Sequence, residues 1–217
     1  NGLNWDNDGG KWPYVCEVLS SINADIAFFS ELNTDTNRYI IRRKMETITQ
    51  QHFAQNHLVM ASSKFETATH YKPGGTAILA SDSITGNIKS HTRDRMGRWT
   101  SLCFTTTSNR KIRIISAYQV CQNSRPGSNT AGSHQRSQII SEATTMNSTT
   151  RQTPRQAFAT DLQAFILHCQ TEQEDIILAG DFNEELNEPS SGIGAVATRC
   201  GLADLFSTRI GNPNIPA

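Results

Sequence analysis

The sequence predicts a layered α/β domain built on a mixed sheet, and three observations carry that prediction. Stretches with apolar residues at helical spacing alternate with short apolar runs of strand length, the pattern of helices laid on sheets. Two of those runs, 99–106 and 111–118, are joined by a few polar residues, so at least one antiparallel hairpin is expected, which a purely parallel sheet lacks. No internal repeat or linker-like stretch divides the 217 residues, so 1–217 reads as a single domain.

Taken in order, residues 12–22 (WPYVCEVLSSI) place Tyr14, Val15, Val18, Leu19 and Ile22 on one helical face, with Pro13 in the first turn where its missing N–H costs nothing. ADIAFF (24–29) is a short buried strand. Residues 34–55 are polar but carry Ile40, Ile41, Met45, Ile48 and Phe53 at helical spacing. Strands are expected at HLVMAS (57–62), GTAILA (75–80), WTSLCFTT (99–106) and KIRIISAY (111–118). The last of these alternates, with Ile112, Ile114 and Ser116 on one side and Arg113 and Ile115 on the other. Residues 121–133 form a loop by composition. Helices follow around 134–146 and 154–169, the second striped by Phe158, Leu162, Phe165, Ile166 and Cys169. DIILAG (175–180) is a strand, and 195–206 opens as another helix.

Composition excludes several classes. Hydrophobic residues make up 36%, enough for a core and against wholesale disorder. No run of about 18 apolar residues exists, so no membrane partner is expected. Twenty basic residues balance twenty acidic ones, which argues against a protein coated in positive charge but leaves room for a local basic groove. Five scattered cysteines with no C-x-x-C pair fit neither a zinc site nor a disulfide framework, and read as thiols in the nucleus or cytoplasm. The six histidines show no metal-ligand spacing.

Other motifs fail on inspection. Asp181-x-Asn183-x-Glu185 opens like a calcium loop, but Leu186 and Gly192 stand where Gly and Glu are required. Gly192-x-Gly194-x-x-Ala197 lacks a preceding strand and reads as a loop entering a helix, not a dinucleotide fingerprint. A Cys121/His134 nucleophile pair has no supporting context.

Polar residues just past the carboxyl ends of buried strands remain: Glu31 after the first, Tyr118 at the end of KIRIISAY, Asp181 and Asn183 after DIILAG. Asn1-Gly2-Leu3 looks like the exit of another strand. Layered α/β folds place their sites at such ends. The series N-G-L, S-E-L-N, G-G-T-A-I, S-A-Y and G-D-F-N resembles the endonuclease/exonuclease/phosphatase superfamily, that of exonuclease III, apurinic/apyrimidinic endonucleases and DNase I, over essentially the whole chain. Within it, G-R-W at 97–99, Y-Q-V-C at 118–121 and P-R-Q-A-F leading to the G-D-F-N strand are most similar to endonuclease domains at the front of non-LTR retroelement polyproteins.

The resemblance implies a four-layer α/β sandwich, two mixed and mostly antiparallel sheets face to face with outer helices, incomplete at both termini. It implies Mg²⁺, with Mn²⁺ as a substitute, held by Glu31. It makes Asp181 the group that handles the attacking water or leaving oxygen, Asn183 and Tyr118 the phosphate contacts, and Asn1 part of the catalytic set. It implies double-stranded DNA as partner, a nicking reaction, and a reverse transcriptase domain in the same polyprotein. An abasic site, RNA or a phosphorylated small molecule would suit the same fold, and a non-catalytic nucleic-acid-binding remnant is the reading from another class. The basic stretches at 89–113 and 122–156 supply the expected phosphate-tracking residues Arg93, Arg95, Arg98 and Arg125. The family's first Asn and its closing S-D-H or I-D-Y segment would fall outside residues 1–217, so weak or absent catalysis is expected of this stretch alone.

Overall fold

The computed structural model describes residues 2–3, 8–122, 129–146, 152–186 and 190–205. Among the described residues, seven strands form two sheets. The first sheet has the order β1 (Ile26–Ser30), β3 (Thr76–Ser81), β2 (Asn56–Ala61), antiparallel throughout. The second has the order β4 (Ile88–Arg93), β5 (Trp99–Thr105), β6 (Lys111–Tyr118), β7 (Glu174–Asp181). Strands β5 and β6 make the expected antiparallel hairpin, and β7 adds to β6 in parallel.

Three apolar seams separate four layers. Helices α1 (Trp12–Ser21) and α2 (Tyr39–His52) cover the first sheet through Trp12, Cys16, Ile41, Met45 and Leu79. The sheets meet through Val59, Ile78, Ala80, Leu102 and Ile114. Helices α4 (Pro154–Thr171) and α5 (Gly192–Arg199) cover the second sheet through Ile115, Phe158, Leu162, Ile166, Ile193 and Val196. The alternation read in β6 is what this requires: Ile114 points between the sheets and Ile115 towards α4. Helix α3 (Ala131–Thr145) lies apart from these seams, its Ala131 against Tyr118 and Val120. The four-layer sandwich of two mostly antiparallel sheets with outer helices is thus observed, although only the second sheet is mixed. No helix among the described residues is long and apolar enough to cross a membrane.

Two local expectations are corrected. In α1, Tyr14, Val18 and Ile22 face solvent, and the buried stripe starts instead at Trp12 and Cys16. The indole N–H of Trp12 donates to the Met45 carbonyl (3.2 Å) and the Thr49 hydroxyl (3.1 Å) of α2. A buried indole needs such an acceptor, and finding it here sets the rotation of the helix. In α2, Ile40 is likewise exposed while Ile41, Met45 and Ile48 are buried. Strand β4 was not foreseen because it is a polar edge strand: all but its first residue are exposed, and solvent-facing edges carry charge rather than apolar alternation.

Candidate active site

The strand ends at Glu31, Tyr118 and Asp181–Asn183 lie at one end of the sandwich. Strand β1 runs out at Ser30, so Glu31 follows it there; β3, antiparallel to β1, enters from the same end after Gly74-Gly75. Tyr118 and Asp181 close the parallel strands β6 and β7 directly opposite each other. The Tyr118 hydroxyl crosses from the second sheet to the first and donates to Glu31 Oε1 at 2.6 Å. The Asp181 carboxylate is exposed, and its Oδ1 accepts from the Asn183 backbone N–H at 3.1 Å. Glu31, Tyr118, Asp181 and Asn183 therefore share one rim. Asn1 lies outside the described residues. Gly2 and Leu3 run beside the Glu31 segment, Leu3 N–H donating to Leu32 O at 2.9 Å and Gly2 lying against the Asn33 side chain.

The backbone is bent to make this rim. Glu31, Asn33 and Asn183 all have φ near +50°. Asparagine tolerates that region, but for a glutamate it costs on the order of 1 kcal/mol, and such strain gathers at functional sites. The bend at Glu31–Asn33 is secured by Gly74: Asn33 N–H donates to Gly74 O, and Gly74 N–H returns a bond to Asn33 Oδ1, both 2.8 Å. Asn183 is fixed in turn: its side-chain amide donates to Gln119 O at 2.7 Å, and its Oδ1 accepts from the Cys121 thiol at 3.1 Å. Gln119, buried beside Tyr118, donates to Phe182 O at 2.8 Å. Glu184 accepts from Arg155 and from the Ile193 amide in the first turn of α5, and Arg155 also donates to Val120 O at 2.7 Å, tying the segment after β7 to the one after β6. Sequence reasoning missed Asn33, Gln119, Arg155 and Glu184. Asn33 was legible as the last letter of S-E-L-N; the others act through backbone partners that no sequence spacing reveals.

Burial, followed by the Glu31 carboxylate beside it, pushes the Tyr118 phenol well above its ordinary value, so it remains protonated and a donor at any pH the fold tolerates. Glu31, Asp181 and Asn183 offer only hard oxygen donors, the kind Mg²⁺ takes along with several waters. Among the described residues no three His, Cys, Asp or Glu side chains cluster closely enough to form a metal cage. A Mg²⁺ site using one or two carboxylates and water needs no such cage.

Gly180 is what lets β7 deliver Asp181. A methyl group there would sit 1.9 Å from the Ala117 carbonyl oxygen, one residue before Tyr118. Gly180→Ala must push β7 away from β6, and it is expected to cost about 1–3 kcal/mol, read as a lowered melting temperature. Activity is expected to fall about 100-fold in the folded fraction, because a shift near 1 Å at the rim misaligns the reacting groups.

The phosphate-tracking set does not survive intact. Arg98 is buried, held bidentate by Asp94 at 2.9 Å and by Asp161 at 2.8 Å, and stacked on Trp99, so it is a structural cation and not a nucleic-acid contact. Arg113, from the same basic run, is buried against Glu174. Arg95 is exposed and paired with Glu142 at 2.7 Å. Arg93 is exposed at the end of β4, in register with Thr100 and hence at the same end of the sheet as Asp181. Arg125 lies outside the described residues.

The model of the endonuclease/exonuclease/phosphatase family matches residues 13–207. Among solved structures, beta toxin from Staphylococcus aureus superposes with a TM-score of 0.52 at 9% identity, over 94% of this chain and 70% of that one. An endonuclease/exonuclease/phosphatase family protein from Leptotrichia buccalis gives 0.48 at 14% identity, over 93% of this chain and 72% of that one. The 2′,3′-cyclic phosphatase ANGEL2, in complex with adenosine-2′,3′-vanadate, gives 0.46 at 14% identity, over 82% of this chain but only 45% of ANGEL2. No curated protein matches the chain. A family match across nine-tenths of the sequence, with beta toxin sharing the fold, leads to one conclusion: the chain belongs to the endonuclease/exonuclease/phosphatase family.

Proposed function

We propose that the chain hydrolyses phosphodiesters with a divalent metal, and that its substrate is DNA, nicked in the service of a retroelement. The observation that supports this most directly is the 2.6 Å bond from Tyr118 to Glu31 across the two sheets, with Asp181 opposite Tyr118 in register. Two carboxylates and a phenol that holds its proton meet at one rim, where an anionic ester can be gripped and a water activated.

In this reading Glu31, its Oε1 accepting from Tyr118, would hold Mg²⁺, which would supply positive charge to offset that on the phosphate and the leaving oxygen. Asp181 is exposed and oriented by the Asn183 N–H, so its second oxygen can take a proton from the attacking water. The Asn183 amide, one N–H fixed by Gln119 O, offers the other to a phosphate oxygen from a preset direction. Tyr118 keeps Glu31 in place. Arg93 and Arg95, exposed near this end of the second sheet, would follow the DNA backbone. The withdrawal of Arg98 and Arg113 into buried ion pairs favours, as second reading, a smaller phosphoester on the same machinery.

The test is nicking of supercoiled plasmid by the protein. Nicking is expected with Mg²⁺ or Mn²⁺, none with EDTA, and a decline as salt rises. An abasic oligonucleotide, a single-stranded RNA and a cyclic or inositol phosphate run in parallel. Turnover of the last alone moves the proposal to the second reading. Salt-sensitive DNA binding without turnover of any substrate makes the protein a binding remnant.

A further inference from the structure

Gln119 follows directly on β6 and bonds to three consecutive residues at the end of β7 and beyond it. Its backbone N–H donates to Asp181 O at 2.9 Å, its side-chain Nε2 donates to Phe182 O at 2.8 Å, and its carbonyl accepts from the Asn183 side-chain amide at 2.7 Å. Phe182 O can only accept, so the end of the Gln119 amide that faces it is the NH₂ group. The peptide that carries Phe182 O also carries the Asn183 N–H, and that N–H donates to Asp181 Oδ1 at 3.1 Å. We propose that Gln119 is a positioning residue for hydrolysis: its side chain holds the peptide between residues 182 and 183, and through that peptide it aims the Asp181 carboxylate. The inference rests on the reading of Asp181 as the group that takes a proton from water.

The peptide needs holding because its conformation is strained. Asn183 has a φ of +49°, in the left-handed region. A flip of the peptide before it, of the kind that interconverts the two commonest β-turns, returns such a residue to negative φ. The same flip would swing the Asn183 N–H away from Asp181 Oδ1. It would also break the bond from Gln119 Nε2 to Phe182 O, so that bond opposes it. A donor on the carbonyl further polarises the peptide and strengthens its N–H as a donor. Asp181 is exposed, so the bond to one carboxylate oxygen sets where the other points.

The same side chain is a liability for the fold. Gln119 is 1% exposed, and its Oε1 has no hydrogen-bond partner among the described residues. A buried acceptor without a partner destabilises, which offsets what the bond to Phe182 O contributes. Methionine fills a similar volume and carries no such acceptor. Phe182 is only partly buried, so water can replace the lost donor on its carbonyl. Stability alone therefore gives glutamine little advantage here, whereas holding Phe182 O requires its N–H. That contrast yields a signature: Gln119→Met should lose rate and keep the fold.

The experiment measures kcat and KM for a duplex oligonucleotide with Mg²⁺, and melting temperatures, for the wild type, Gln119→Met, Asp181→Asn and the double variant. Gln119→Met should lower kcat about 10–100-fold, the scale of a misplacement near 1 Å, with KM within about twofold. Its melting temperature should stay within about two degrees of the wild type or rise, and Gln119→Leu should behave alike. The double variant should be less than about threefold slower than Asp181→Asn, because both changes act on the same carboxylate. Losses that multiply in the double variant overturn the proposal, as does a Gln119→Met kcat within about twofold of the wild type. A sharply lowered melting temperature in both Gln119 variants makes the residue structural and overturns it too. Amide NMR supplies a readout that needs no turnover: in Gln119→Met the Asn183 backbone N–H should shift and lose protection from hydrogen exchange. An unmoved Asn183 amide overturns the positioning role whatever happens to kcat. A shifted Asn183 amide in a chain whose wild type turns over no phosphoester bears out the hold on the peptide and overturns the hydrolytic reading instead.

Discussion

Asp181→Asn is expected to leave the fold unchanged and to lower phosphodiester hydrolysis by about 10²–10⁴-fold, the range for loss of a positioned general acid or base. The substitution is nearly isosteric. An asparagine Oδ1 can still accept from the Asn183 N–H, and the backbone oxygen of residue 181 can still accept from Gln119 N–H, now 2.9 Å away. What disappears is the charge and the ability to take a proton. The loss should therefore fall on kcat, with KM nearly constant, because an exposed carboxylate at the rim contributes little to holding an anionic substrate. A melting temperature unchanged within a degree or two, together with a lost kcat, assigns Asp181 to the chemistry. An unchanged kcat would remove it from the mechanism and leave the parallel strand end as a structural feature only.

The fold was legible where local pattern and tertiary demand agree. Leu162 and Ile166 sit on a stripe that α4 buries, and the alternation in β6 is the alternation of a strand covered on both faces. The reading failed where a single polar contact decides. Helix α1 has two possible apolar faces, and the choice belongs to the indole of Trp12, which needs an acceptor supplied 37 positions later by Thr49. The same holds at the rim. Glu31, Tyr118, Asp181 and Asn183 could be named from strand ends and from the family's motifs, because a strand end in a layered α/β fold points to one place. Gln119, Arg155 and Glu184 could not, because they hold backbone carbonyls and amides whose positions exist only after folding. The basic flank failed for a related reason. Charge in a sequence says nothing about whether a carboxylate such as Asp94 or Glu174 waits behind it.

Arg98→Ala is expected to destabilise the protein by about 3–5 kcal/mol, the cost of leaving one member of a buried ion pair without its partner. Asp94 is buried and its two oxygens accept from Arg98 Nε and Nη2; what would remain are the backbone N–H groups of residues 96 and 98. Arg98 Nη1 has no hydrogen-bond partner among the described residues, and the guanidinium lies 4.6 Å from the centre of the Trp99 ring, so packing is lost along with charge. Arg98→Lys should recover only part of the loss, since an ammonium cannot match the bidentate fork. Arg95→Ala, at an exposed pair with Glu142, should cost less than about 1 kcal/mol. DNA binding separates the two roles a basic residue can have. A phosphate contact, on removal, reduces the salt slope of binding by about one unit and spares the melting temperature. For Arg98→Ala the reverse is expected in the fraction that remains folded: salt slope unchanged, melting temperature sharply lower. The damage should also reach the rim, because the Arg98 carbonyl accepts from the Tyr118 N–H at 2.7 Å, and a loosened start of β5 releases the residue that holds Glu31.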